Sequence, residues 1–130
     1  GIVARDLVRS RPQRRLLTVA PGDPVTRAIQ VMTEHDYSQI PVSDDGRIIG
    51  AVNETSLYAA LVRDPGLKMQ PVRTVMQPAF PFVDICTSLE ALAGMITPAS
   101  PAVLVRDFKS DETFILTRWD VLQALGTAEA

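Results

Sequence analysis

The sequence predicts a mixed α/β (α+β) fold made of two pseudo-symmetric units, each with the order β-α-β-β-α. The first observation is a repeat: Val19 matches Val83, and Val52 matches Leu116, both at an offset of 64 residues. The second is that each copy ends in a similar strand-to-helix junction, Asn53-Glu54-Thr55-Ser56 and Thr117-Arg118-Trp119-Asp120. Self-similarity at a fixed period indicates two copies of one small unit packed together.

Alternating helix and strand signals define the first copy. The predicted segments are an opening strand at 17–19, a helix at 24–35, strands at 40–42 and 48–52, and a closing helix at 54–62. We expect Asp23 to be the N-cap of the first helix, with Pro24 at its first position, where proline is tolerated. Asp44-Asp45-Gly46 separates the two strands and is a strong signal for a hairpin.

The second copy follows the same order with one gap. Its segments are a strand at 82–83, a helix at 87–96, strands at 102–105 and 113–116, and a helix at 118–125. Val105 matches Val42 at an offset of 63, one less than the other pairs. We therefore expect that this copy has one residue fewer before its first long strand. Its hairpin at 109–112 would then have one residue more, which restores the offset of 64.

Shorter segments flank the copies. Val3, Leu7 and Val8 lie near helical spacing and predict a leading helix over 2–8, followed by a basic connector at 10–15. Residues 71–76 predict a short helical turn. The resulting domain boundaries are 1–16 for the leading helix and connector, 17–66 for the first unit, 67–81 for the linker, 82–126 for the second unit and 127–130 for the tail.

Composition limits the classes of function. The chain has 130 residues, of which 46% are hydrophobic and 5% aromatic, and a formal net charge of −2. This size suits one compact domain, or two half-domains that share a core. The charge provides no basic field for nucleic acid, and no apolar run approaches the ~20 residues that a membrane span needs. We therefore expect no nucleic-acid partner and no membrane partner. Because the sequence shows no secretory signal, we also expect a cytoplasmic location.

The sequence offers no set of residues for catalysis or metal binding. Cys86 is the single cysteine, so an internal disulfide and a multi-cysteine metal site are both excluded. His35 is the single histidine, and its position near a helix C-terminus beside Asp36 is explained by the helix dipole. We therefore predict no catalytic residue and no metal ligand in this segment.

Asp120 offers the clearest chemistry in the chain. We expect Thr117 to cap the last helix through its hydroxyl and the backbone N–H of Asp120, a role that needs no ligand. The same geometry would direct a carboxylate, a hydroxyl and helix N-terminal amides into one crevice, where a vicinal diol and a phosphate could bind. The residues alone leave both readings open. Ser56 occupies the equivalent position of the first copy, which lacks the carboxylate.

The ordered set of motifs resembles a known family. Tyr37-Ser38-Gln39-Ile40-Pro41-Val42, Asp44-Asp45-Gly46, Ile48-Ile49-Gly50 and the strand-ending Thr117-Arg118-Trp119-Asp120 are similar to those of cystathionine-β-synthase-type (CBS) domains. Two such domains in tandem form a Bateman module, and the resemblance extends from about Arg5 to Leu125. It implies a regulatory sensor of AMP, ADP, ATP or S-adenosylmethionine, with ligand clefts between the two units, rather than an enzyme. It also implies homodimers formed through the helices.

The resemblance assigns residues to two clefts. In the first, Asp120 would hold the ribose hydroxyls, with Thr117 near the ribose or phosphate. The base would be enclosed by Leu17, Tyr37, Ser38, Gln39, Ile40 and Ile115. The mirror cleft would use Asn53, Ser56, Val83, Pro101, Ala102 and Val103. Because the mirror cleft lacks the carboxylate, we expect it to bind weakly or not at all.

Two further assignments remain open. Arg14 and Arg15 are either solvated connector residues or phosphate contacts at the mouth of the cleft. Trp119 is expected to be a packing residue or an oligomer contact.

A finer resemblance concerns the protein that would carry this module. Residues 72–76, 80–83, 101–107 and 117–122 are similar to the C-terminal regulatory part of bacterial cystathionine β-synthases, which are pyridoxal-phosphate enzymes. This similarity implies an attached catalytic domain with pyridoxal phosphate, to which the module would pass a ligand-induced change. Magnesium transporters, IMP dehydrogenase and free-standing CBS-pair proteins are alternative hosts. A dimerisation module that binds no ligand is the alternative from another functional class.

Overall fold

The computed structural model describes residues 1–10 and 16–127. Its helices and strands follow the predicted order, except that the opening strand predicted at 17–19 is reduced to a single bridge at Val19. The helices are α1 (Ala4–Arg9), α2 (Val25–His35), α3 (Glu54–Arg63), α4 (Leu89–Met95) and α5 (Arg118–Thr127), with 3₁₀ helices at Pro65–Met69 and Val72–Thr74. The strands are β1 (Gln39–Asp44), β2 (Arg47–Asn53), β3 (Phe82–Asp84), β4 (Ala102–Asp107) and β5 (Glu112–Thr117). The predicted mixed α/β fold is confirmed.

The chain divides into two compact units. The first-copy unit comprises Leu17–Ala79, and the second-copy unit comprises Gly1–Leu16 together with Phe80–Ala130. Each unit has its own cluster of buried apolar side chains.

In the first-copy unit, β1 and β2 form the predicted antiparallel hairpin. Asp45 and Gly46 at its tip have φ values of 50° and 78°, and two-residue hairpin turns of type I′ require positive φ at both central residues. Val19 adds a parallel bridge to β1, since its N–H donates to Pro41 O at 3.1 Å. The buried core lies beneath these strands and consists of Val19, Val25, Ala28, Val31, Met32, Ile40, Val42, Val52, Leu57 and Val72.

The second-copy unit contains a three-stranded sheet of order β3-β4-β5, parallel between the first pair and antiparallel between the second. Ser88 caps α4, because its side chain accepts a hydrogen bond from the backbone of Ala91. The buried core comprises Ala4, Leu7, Leu89, Leu92, Val103, Val105, Leu116 and Val121. All but the two α1 residues come from the second copy itself.

The segment that precedes each copy packs on the other copy. Helix α1 follows Val3, which forms an antiparallel bridge with Ser88 in the second-copy unit. The 3₁₀ helix Val72–Thr74 follows Pro71, which bridges to Pro24 in the first-copy unit. The leading helix is therefore confirmed as a packed element, and the linker has an equivalent structural role.

Gly50 permits the linker to approach β2 closely. A Cβ atom at this position would lie 2.9 Å from Met76 Sδ and 3.0 Å from Gln77 O. Gln77 also exchanges backbone hydrogen bonds with Ala51, which closes the outer edge of β2. A side chain at position 50 would force these atoms apart.

The start of α2 differs from the prediction. Pro24, rather than Asp23, is the N-cap of the helix, with φ −66° and ψ 149°. The Asp23 carboxylate instead accepts a hydrogen bond from Ala20 N at 2.9 Å, which closes the preceding turn. The prediction was wrong because an aspartate before a proline can stabilise a turn as readily as a helix.

Parts of two predicted segments, the connector residues 11–15 and the tail residues 128–130, lie outside the described residues. Within residues 1–10 and 16–127, no helix has the length and apolar character to cross a lipid bilayer.

Candidate ligand-binding site

The junction between β5 and α5 places Asp120 in the first turn of the helix. Thr117 ends β5, where it is held in register with Ala102 of β4. Its backbone N–H and its hydroxyl both donate to Asp120 Oδ2, at 2.9 Å and 3.2 Å. We predicted a hydroxyl that accepts from the Asp120 backbone, whereas the observed bonds run from Thr117 to the carboxylate. The carboxylate thus fastens the end of the strand to the start of the helix.

The equivalent junction of the first copy has the opposite polarity. Asn53 is the N-cap of α3, and its Oδ1 accepts from Ser56 N at 2.8 Å and from Ser56 Oγ at 3.0 Å. In the first copy the acceptor is therefore on Asn53, the last residue of the strand. In the second copy it is on Asp120, in the first turn of the helix. Both junctions are capped locally, but only in the second is the capping acceptor a carboxylate.

Asp120 lines a cavity of about 470 Å³ in the second-copy unit, between α1 and α5. Asp6 of α1 is a second carboxylate of the lining. The residues around the cavity are Ile2, Asp6, Leu7, Ser10, Trp119, Asp120, Gln123, Ala124 and Thr127. Sequence reasoning missed the contribution of α1, because the spacing of Val3, Leu7 and Val8 indicated packing and gave no sign of what the polar face of the helix would meet.

Tyr37 and Ser38 line a separate cavity of about 420 Å³ within the first-copy unit, between α2 and α3. The Tyr37 ring is half-buried and stacks on His35, with centroids 5.5 Å apart. Asp36, between them, adopts the left-handed conformation with φ 55°, which ends α2 and turns the chain toward β1. Two of the residues predicted to surround the base therefore share a cavity.

Other predicted site residues belong to the sheets and cores. Leu17, Gln39, Val83, Pro101 and Ile115 are half-buried. Ile40, Ala102 and Val103 have no exposed surface. Because their side chains fill the two units, these last three residues could reach a ligand only through their backbone atoms.

Acidic and cysteine side chains are also present outside the two junctions. In the part of the chain that the structure describes, no group of three or more His, Cys, Asp or Glu side chains is placed to hold a metal ion. Cys86 is exposed, 3.9 Å from Arg5 Nη2. The pKa of Asp107 is lowered, chiefly because its carboxylate accepts from the backbone N–H of Lys109, but Asp107 lines neither cavity. Arg14 and Arg15 lie outside the described residues.

Comparison with known proteins identifies the fold. Residues 4–63 match the family model of the CBS domain. A CBS-domain-containing protein from Agrobacterium tumefaciens is similar with a TM-score of 0.83 and 21% identity, over 95% of this chain and 99% of that one. CBSX2 in complex with AMP, a CBS-pair protein from Arabidopsis thaliana, is similar with a TM-score of 0.75 and 25% identity, over 96% of both chains. No curated protein sequence matches the chain.

The family match covers the first copy, whereas the structural matches cover both copies. The family match includes the leading helix and the first copy as far as the end of α3, while the second copy is matched through the fold of the complete chain. Neither of these two similar proteins is described as part of a cystathionine β-synthase. Residues 4–63 thus match the CBS domain model, and the complete chain has the fold of solved proteins that contain CBS domains.

Proposed function

We propose that this module binds an adenosine-containing ligand beside Asp120 and passes the change in its conformation to an attached domain or subunit. The observation that carries the proposal is the position of Asp120, in the first turn of α5 and on the wall of a cavity of about 470 Å³. One carboxylate can accept hydrogen bonds from both hydroxyls of a ribose. The cavity volume lies in the range of ~300–1,000 Å³ that is common for small-molecule sites.

Support for an adenosine ligand comes from a relative. CBSX2, with the same fold and 25% identity, has been solved in complex with AMP. In our proposal Asp120 holds the ribose and Thr117 lies nearby. Tyr37, Ser38 and Gln39, with Leu17, Ile40 and Ile115, remain the predicted environment of the base, Ile40 through its backbone because its side chain is buried.

Regulation would follow from a shift in conformational population. If the module has two conformations, a ligand shifts the equilibrium toward the one that it binds more tightly. The size of this shift cannot exceed the difference between the binding free energies for the two conformations. The choice among AMP, ADP, ATP and S-adenosylmethionine is part of the proposal. We also propose a homodimeric state, a cytoplasmic location and a cystathionine β-synthase-like host with pyridoxal phosphate.

Ligand binding should raise the melting temperature of the purified chain. A ligand that binds only the native state, present at 100 times its dissociation constant, stabilises by about 2.7 kcal/mol. Thermal denaturation with millimolar AMP, ATP and S-adenosylmethionine measures this gain. A melting temperature that none of these ligands changes would refute the proposed function.

Calorimetric titration should show one strong site per chain. The Ser56 hydroxyl cannot match a carboxylate as an acceptor for a diol, and a deficit of ~1.4 kcal/mol makes the second site about tenfold weaker. Since Asn53 Oδ1 is the acceptor at this junction, Ser56→Asp alone would place two acceptors together. The double variant Asn53→Thr, Ser56→Asp reproduces the second-copy pair and should strengthen the second site, with Ser56→Ala as its control. Two equal sites in the unmodified chain would contradict this asymmetry.

Exposed apolar side chains on α3 and α5 favour the alternative of a module that only dimerises. Tyr58, Trp119 and Leu122 are large hydrophobic residues that are more than half exposed. Aromatic residues of this kind often anchor protein interfaces. A stable dimer in sedimentation experiments, together with no response to any of the three ligands, would favour this function over ligand sensing.

A further inference from the structure

We infer that Trp119 is the aromatic surface on which the flat base of the ligand stacks in the cavity beside Asp120. This inference rests on the proposed function and adds to the same site a residue that the resemblance to CBS domains did not assign. It concerns the base of the ligand, whereas the Asp120 carboxylate concerns the ribose.

Trp119 lines the same cavity as Asp120. The two are consecutive residues in the first turn of α5, and both are part of the wall of the cavity of about 470 Å³. Because consecutive Cα atoms are only about 3.8 Å apart, a ribose held by the carboxylate would carry its base within reach of the indole ring. Leu122 and Leu125 are also exposed apolar residues of α5, but they do not line this cavity. The position of Trp119 is therefore distinct from theirs.

The fold itself uses little of the surface of the Trp119 ring. The side chain is 64% exposed, whereas Val121 of the same helix belongs to the buried core of the second-copy unit. A planar base that covered the ring would remove apolar surface of both partners from water. Stacking of a nucleobase on an aromatic side chain changes affinity by roughly tenfold.

Apolar side chains from both helices complete this part of the cavity. Ile2 and Leu7 of the leading segment and Ala124 of α5 belong to its lining. Leu7 is also part of the buried core, which fixes α1 as one wall of the cavity. A base in the cavity would therefore meet apolar side chains as well as the Trp119 ring. A lining that is part apolar and part polar suits a ligand that joins a flat base to a ribose.

The first copy has no aromatic ring at the equivalent position. Thr55 lies 64 residues before Trp119, and Ser56 lies 64 residues before Asp120. Stacking would therefore add to the difference between the two junctions that the carboxylate already creates. This addition should affect ligands with a base and should not affect a ribose phosphate.

Trp119→Leu tests the inference, since leucine keeps an apolar side chain at this position but has no aromatic face. The full chain is titrated by calorimetry with AMP, ATP and S-adenosylmethionine, which share the adenine base, and with ribose 5-phosphate, which lacks it. Trp119→Phe restores a ring. Phe108→Leu is the matched control, because Phe108 is an exposed aromatic residue of the same unit that does not line the cavity. Sedimentation of each variant measures its oligomeric state.

Trp119→Leu should weaken the adenine ligands roughly tenfold and leave ribose 5-phosphate unchanged, with no change of oligomeric state. Trp119→Phe should recover most of this loss. In the unmodified chain these ligands should also change the fluorescence of Trp119, the only tryptophan.

Four results would overturn the inference: an unchanged affinity in Trp119→Leu, the same loss with Phe108→Leu, a loss that occurs only with a change of oligomeric state, or binding without a change in fluorescence. If the unmodified chain binds none of the adenine ligands, the proposed function fails and this inference with it. If Asp120→Ala weakens binding and Trp119→Leu does not, only the stacking on Trp119 fails.

Discussion

Leu116→Ala should lower the free energy of unfolding by about 2–5 kcal/mol, the usual cost of removing a buried leucine side chain. Leu116 has no exposed surface and lies on β5 among the core residues of the second-copy unit, which include Leu92 and Val121. The loss combines the transfer of the removed methylenes to water with the cavity that remains, because a packed core closes such a space only partly. Urea denaturation followed by circular dichroism measures the change.

Leu122→Ala is the matched control for this prediction. Leu122 lies on α5 and is 56% exposed, so the same substitution removes little buried surface. We expect its effect to stay within about 0.5 kcal/mol, as for most surface positions. A loss for Leu116→Ala as small as the one expected for Leu122→Ala would mean that Leu116 does not lie in the core of the second-copy unit.

Asp120→Ala should weaken the adenosine ligand by roughly 2 kcal/mol or more, which is about thirtyfold in dissociation constant. Two charge-assisted hydrogen bonds to the ribose would be lost together. The fold should lose much less, about 1 kcal/mol, because the substitution removes a capping carboxylate and its bonds from Thr117. Isothermal titration calorimetry measures the first effect and thermal denaturation the second.

Two variants separate binding from capping at this junction. Asp120→Asn can still accept from Thr117 but has lost the charge, so it should keep most of the stability and lose much of the affinity. Ser56→Ala removes the hydroxyl bond to Asn53 Oδ1 at the equivalent junction of the first copy but keeps the backbone bond, and it should leave the strong site unchanged. Equal ligand affinity in the wild type and in Asp120→Ala would show that this carboxylate only caps its helix.

Local sequence signals predicted most elements of the fold. The Asp45-Gly46 turn, the β-branched strands and the helix spacing each reflect interactions over a few residues, which a sequence displays directly. The position of Asp120 at a strand-to-helix junction could be predicted for the same reason. The Asp23 cap was mispredicted because two local uses of one carboxylate compete, and the sequence does not show which has the lower free energy.

Contacts between segments far apart in the sequence were harder to predict. Asp6 and Asp120 line one cavity although they lie at opposite ends of the chain. No periodicity or spacing links them, because their proximity results from how α1 packs against α5. The burial of Ile40 also separates it from Tyr37 and Ser38, which line a cavity, although the sequence placed all three in one cleft. Ala102 and Val103, which were predicted to line the mirror cleft, are buried as well.

The exchange of leading segments has a consequence for biosynthesis. Helix α1 leaves the ribosome before either copy, yet Ser88 and the core that cover it are synthesised much later. The first copy must similarly wait for Val72 of the linker before its core is filled. Contacts between residues far apart in sequence slow folding, because the intervening loop must close first. A nascent chain halted after α3 would therefore expose both Leu7 and the space that Val72 fills, so that a single copy is not an independent folding unit.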